Sequence, residues 1–176
     1  MTYTNETDLS LLTVFYMKFS RLIPRTIPIP AFEELLVYVI NCLHEQEDNC
    51  VHGIGLIADL TDFTMSNFSV PVMTKFLMLV QGRTFPCKVE SVLFVNAPKW
   101  FGTVWGVLKQ MMSTDFLKTN VHRISVEEMV TNHLEPGWES FMTDDMFVGK
   151  RRAKDIVGEF IEQRREIERS RIGGNK

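Results

Sequence analysis

Short strand-type runs alternate with helix-period stretches along this chain, and that alternation constrains the fold more than any single motif. LLTVFYMKF, residues 11–19, is dense in β-branched and aromatic residues and predicts a strand. Pro24, Pro28 and Pro30 interrupt any ladder after it and predict a loop. From Ala31 to His44, apolar residues fall at 32, 35, 36, 39, 40 and 43, the spacing of one helix face. HGIGLIADL, residues 52–60, reads as a buried strand. Residues 68–83 predict a helix with Ser69 as N-cap, Pro71 in the first turn and Gly82 as the stop. VESVLFVNA, residues 89–97, is the clearest strand, and Pro98 opens the helix that follows it. Ser113 begins a further turn, and VHRIS at 121–125 is a short strand. Ser125 and Glu128 form a capping-box pattern for the helix SVEEMVTNHL. Residues 150–171 predict a charged amphipathic helix. A β-α-β-α-β-α-β-α order specifies an α/β fold, with a mostly parallel twisted sheet flanked by helices.

Composition narrows what such a domain does. The chain has 176 residues and is 45% hydrophobic, enough for one domain with a real core. No apolar run reaches the roughly 18–20 residues that cross a bilayer. The polar N-terminal segment has none of the features of a signal peptide, so a cytoplasmic location is expected, with possible peripheral attachment to membranes. Three cysteines, Cys42, Cys50 and Cys87, predict reduced thiols. Residues 1–148 hold 10 Lys and Arg against 17 Asp and Glu, a net −7, while residues 149–176 hold 9 against 5, a net +4. The expected division is therefore a domain at 1–148 and a basic helix or linker at 149–176. An acidic body argues against nucleic-acid binding, which needs a basic face to displace counterions.

Several patterns resemble chemical sites without the context those sites need. Gly53-x-Gly55-x-x-Ala58 matches a dinucleotide fingerprint, but polar residues precede it and the glycines fall inside the predicted strand. Such glycines instead permit close approach of a helix or ligand. Cys42-x-His44 and Cys50-x-His52 match no common zinc spacing. Asp59 and Asp62 follow a strand end, where α/β sheets place ligands, yet hydrogen bonding to neighbouring loops and turns accounts for both. No serine or cysteine nucleophile motif is present, and nothing positions a base beside Asp59 or Cys87. No catalytic residue, metal or cofactor is expected. The stretch 98–117, with Trp100, Phe101, Val104, Trp105, Val107, Leu108, Met111, Met112, Phe116 and Leu117, exceeds the single apolar stripe of a surface helix. It fits either a core helix packed on two sides or a cover over an apolar ligand. Lys150, Arg151, Arg152 and Lys154 form a candidate contact with anionic membrane lipid. In the tail, Glu159, Glu162, Glu166 and Glu168 interleave with arginines as on a solvated helix face.

Three stretches resemble the CRAL-TRIO lipid-binding family, the fold of phosphatidylinositol transfer proteins and of tocopherol and retinal carriers. They are GIGLIADLTDFT, FPCKVESVLFVNAPKWF and VHRI, spanning about residues 50–126. The Lys-Trp-Phe after Asn-Ala-Pro looks closest to the module at the N-terminus of a cytosolic non-receptor tyrosine phosphatase. The resemblance implies a bowl-shaped apolar pocket on the sheet, closed by a mobile gate helix. Matching positions place Ile54, Leu56 and Ala58 on one cavity-facing strand and Val92 and Phe94 on the next. Leu108, Met111, Met112, Phe116 and Leu117 fall at the cover, with 111–117 as the lid and Trp100 to Leu108 as its anchor. Arg123 falls where many members keep a base near a headgroup.

This chain departs from the family at several positions. Cys87 replaces an acidic residue of phosphoinositide binders, and Ile54 and Leu56 replace hydroxyl residues that some members turn toward choline. The ending after Leu134 differs, and the family's N-terminal helical subdomain is expected to be absent, with only about ten residues ahead of the first predicted strand. The expected function is binding of a hydrophobic or phospholipid ligand for lipid sensing, presentation or membrane targeting, with lipid and a peripheral membrane surface as partners. The alternative is a protein-interaction scaffold, for example toward a small GTPase, with a filled pocket.

Overall fold

The computed structural model describes residues 13–45, 51–81, 88–114, 116–117, 121–132 and 151–173. The chain divides into two compact units, Met1–His133 and Leu134–Lys176. Four strands make one sheet in the first unit: β1 (Thr13–Lys18), β2 (Ile54–Asp59), β3 (Val89–Val95) and β4 (Val121–Ile124). Their order is β1-β2-β3-β4 and every pairing is parallel. Helices α1 (Ile29–His44), α2 (Val70–Gln81) and α3 (Phe101–Gln110) make the three crossovers, and α4 (Val126–Asn132) follows β4. Helix α5 (Ala153–Gly173) belongs to the second unit.

Each crossover steps one strand in the same direction. Crossovers of one hand then place all three connecting helices on one face of the sheet. The packing agrees. Ile54, Leu56 and Ala58 of β2 and Val92 and Phe94 of β3 share one hydrophobic cluster with Phe32, Leu36 and Ile40 of α1, Phe76 and Val80 of α2, and Phe101, Trp105 and Leu108 of α3. Strand β2 is buried at every position, as a central parallel strand must be. The opposite face carries Ile57, Leu93 and Val95, each at most 1% exposed, and lies outside that cluster.

Local chemistry explains where the elements begin and end. Helix α1 starts two residues before its expected position and takes Pro30 into its first turn, where the proline's missing N–H has no intrahelical acceptor to lose. Its buried residues Phe32, Leu36 and Ile40 recur every fourth position, and Leu35, expected on the same face, is 58% exposed. Helix α2 takes Pro71 in its first turn, and Met73 N donates to Ser69 O. The expected stop at Gly82 lies outside the described residues. Gly53 precedes β2 and does not lie within it. Its φ of +82° and the Lys88 carbonyl, 2.6 Å from where a Cβ would stand, both demand glycine. The close approach inferred for these glycines is thus to the backbone leading into β3. A register shift between Ile54 and Gly55 sits beside it.

Candidate functional site

β-Strand alternation sends Ile54, Leu56, Ala58, Val92 and Phe94, the residues expected to form the floor of a pocket, to one face of the sheet. Helix side chains fill the space above that floor. A run of rings passes from Phe76 through Phe19, Phe63 and Phe101 to Phe94 and Trp105, with successive centroids 5.3–6.4 Å apart. Among the described residues, an apolar void of about 10 Å³ lies beside the floor, bounded by residues including Phe15, Leu36, Ile40, Ile54, Leu56 and Val80. That is the room of about one water molecule. Ile54 and Leu56 reach it, whereas Ala58, Val92, Phe94 and Leu108 contact packed side chains.

The segment after α3 covers the edge of this core. Met112 is 7% exposed, and Met111, Phe116 and Leu117 are partly buried against the cluster. Ser113 caps the turn that carries the last two. Its Oγ accepts Phe116 N–H at 3.2 Å and its carbonyl accepts Leu117 N–H at 3.0 Å. Gln81, at the end of α2, holds this segment from outside. Its Nε2 donates to Met111 O at 2.6 Å, and its Oε1 accepts Ser113 N–H at 3.1 Å.

A separate open cleft of about 530 Å³ lies at the C-terminal ends of β3 and β4. Phe94, Asn96, Ala97, Arg123, Ser125 and Glu128 line it with Ile124. Phe94 therefore belongs both to the apolar floor and to the cleft wall. The exposed Arg123 guanidinium sits 5.9 Å from the ring centroids of both Phe101 and Trp105 and has no carboxylate partner among the described residues. The aromatic rings favour a cation there without neutralising it. Ser125 Oγ accepts Glu128 N–H at 3.0 Å, the first half of the expected capping box. Asn96 has φ +57°, and its Nδ2 donates to Thr61 Oγ1 at 3.1 Å, tying the loops after β2 and β3 together.

The remaining candidates fall elsewhere. Asp59 is buried, accepts Tyr16 OH through one oxygen, and accepts Thr61 N–H at 2.8 Å through the other. Asp62 takes a left-handed backbone, φ +58°. The following turn is organised by Asn67 and not by Asp62: Asn67 Oδ1 accepts Thr64 N–H, and its Nδ2 donates to the carbonyls of Ser20 and Leu22. Sequence reasoning missed both Asn67 and Gln81, since a carboxamide that ties distant segments leaves no local periodicity. Cys42 is buried in α1, while Cys50, Cys87 and Lys150 lie outside the described residues. In the second unit Arg151 pairs with Glu159 at 2.6 Å and Arg152 with Asp155 at 2.8 Å, so two of the expected membrane-contact bases already have carboxylate partners. Lys154 is exposed. Arg165–Glu162 and Arg164–Glu168 pairs follow the charge pattern of the tail. Among the described residues no helix is long and apolar enough to cross a membrane.

Comparison with known proteins adds an independent line. The family model of the CRAL/TRIO domain matches residues 1–136. Tyrosine-protein phosphatase non-receptor type 9 of Homo sapiens is 26% identical over 101 residues, covering 57% of this chain. The proteins of the same name from Mus musculus and Rattus norvegicus match equally. The matched stretch spans 16% of each of those proteins.

Proposed function

This chain belongs to the CRAL/TRIO domain family, whose members are in general non-catalytic lipid-binding domains, and we propose that it takes a hydrophobic or phospholipid ligand beneath the 111–117 segment with the headgroup beside Arg123. The observation that carries this reading is the double role of Phe94. An apolar floor and an open cleft holding a guanidinium without a carboxylate partner among the described residues adjoin at that one ring. A phospholipid needs that arrangement: an apolar place for its chains and a paired site for its charge, because an unpaired buried charge is costly. Burying roughly two dozen methylenes at about 0.8 kcal/mol each supplies the gross driving force. From this is subtracted the cost of moving the side chains that now fill the space and of ordering the ligand. Sensing, presentation or recruitment to a membrane surface follows from a bound lipid whose headgroup stays accessible.

Native mass spectrometry after gentle purification tests the reading, with uptake of labelled phosphatidylcholine as the second measurement. Arg123→Ala is expected to weaken the labelled phospholipid about 10–100-fold, the range of a lost charge-assisted contact. A labelled long-chain alcohol, lacking phosphate, is expected to bind the variant as well as the wild type. A protein that carries no ligand and takes up neither probe sinks the proposal.

A second reading has its own observation. The void of about 10 Å³ and the aromatic run above the floor describe a filled pocket. That state suits a protein-interaction scaffold, and direct binding of a small GTPase without lipid uptake is the outcome that favours it.

A further inference from the structure

We propose that Gln81 is a positioning residue that latches the 111–117 segment and sets how fast an apolar ligand exchanges; the second half of this statement rests on the lipid-binding reading above. One side chain makes both ties, to Met111 O and from Ser113 N–H, bridging the end of α2 to the end of α3. Met111 is the C-cap of α3, where carbonyls lack intrahelical partners. Ser113 passes the constraint onward, because it caps the turn bearing Phe116 and Leu117. The neighbouring residue Val80 borders the apolar void, so the same end of α2 supplies a wall of the interior and the hold on its cover.

The chemistry requires a carboxamide. Gln81 donates with nitrogen and accepts with oxygen in a single planar group. Ionised glutamate accepts only and turns a charge toward Met111 O, and leucine does neither. Helix α3 is also locally weak: Gly102 lies in its first turn and Gly106 in its interior, each with nothing within 4 Å of where a Cβ would stand, so no packing demands glycine there. Each glycine weakens the helix relative to alanine. When the Gln81 side chain lets go, the end of α3 and the turn after it are freed, while Phe101, Trp105 and Leu108 keep the rest of the helix packed.

Amide hydrogen exchange on the full chain tests the latch directly. In Gln81→Leu at neutral pH, protection at Ser113, Phe116 and Leu117 is expected to fall about tenfold, the scale of two lost neutral hydrogen bonds, while residues 72–79 of α2 keep theirs. In Gln81→Glu, which still accepts from Ser113 N–H and loses only the tie to Met111 O, it is expected to fall about threefold. Unchanged protection at Ser113, or an equal loss throughout α2 and α3, overturns the proposal. With labelled phosphatidylcholine offered in phosphatidylcholine vesicles, Gln81→Leu is expected to load and release about tenfold faster at unchanged final occupancy, and Gln81→Glu about threefold faster. Gly102→Ala/Gly106→Ala is expected to slow both steps. A wild type that loads at a rate Gln81→Leu leaves unchanged defeats the latch alone. A wild type that takes up no labelled lipid or alcohol, even as Ser113 loses protection in the variants, defeats the binding reading and leaves the mechanical latch standing.

Discussion

On one face of the sheet, Leu56, Ala58, Val92 and Phe94 merge with three helices into a single hydrophobic cluster. On the other face, the same strands bury polar atoms among Ile57, Leu93 and Val95. Tyr16 donates to Asp59, while Ser91 Oγ and His122 Nε2 are buried without a hydrogen-bond partner among the described residues. Hydrophobic contacts on the first face are numerous and non-directional, so that face tolerates repacking as long as its volume stays filled. Polar contacts on the second are few and directional, and each fixes one arrangement at the risk of a large penalty if its partner is lost.

Three substitutions probe that contrast through chemical unfolding. The largest effect is expected from Phe94→Ala, which removes a ring 1% exposed that packs on Phe101 and Trp105. A loss of about 3–5 kcal/mol fits a buried aromatic, and a loss under about 1 kcal/mol would mean that the helix-covered face is already loose. Tyr16→Phe comes next. It keeps the ring and strips Asp59 of a donor, for a loss of about 1–3 kcal/mol. An unchanged midpoint would show that water replaces the hydroxyl and that the second face is less closed than its burial implies. The smallest effect belongs to Ser91→Ala. Removing a buried, unpartnered hydroxyl is expected to leave stability within about 1 kcal/mol of wild type or to raise it. A clear loss would reveal a partner for Ser91 and make the two faces more unequal still.

The first of these faces was legible in the sequence, and the second was not. The apolar runs GIGLIAD and VESVLFV were readable as strands because strand patterning is a local property that one sequence displays, whereas it was the family resemblance that put Ile54, Leu56, Ala58, Val92 and Phe94 on one face. The Ser125–Glu128 cap and the turn at Ser113 were readable for the same reason. The filling of the pocket was not readable, since the ring contacts of Phe19, Phe63 and Phe76 join residues far apart in the chain. Polar ties behave likewise. Tyr16 meets Asp59 across 43 positions and Gln81 meets Met111 across 30, and neither pairing leaves a mark in either local segment. Leu35 erred in the other direction, as helix spacing marked it for the core and the structure leaves it exposed.

The strand order has a consequence in time. Each strand pairs with the one before it in sequence, with Thr13 meeting Ile54, Ile54 meeting Val89 and Val92 meeting Val121. Every closure spans only about 30–40 residues, and none must wait for a strand synthesised later to be slotted between two already paired. The sheet can grow from its first edge as the chain leaves the ribosome, each new strand and helix settling on a surface already made. The segment 111–117 then comes after β2 and β3, whose helix-covered face it settles against.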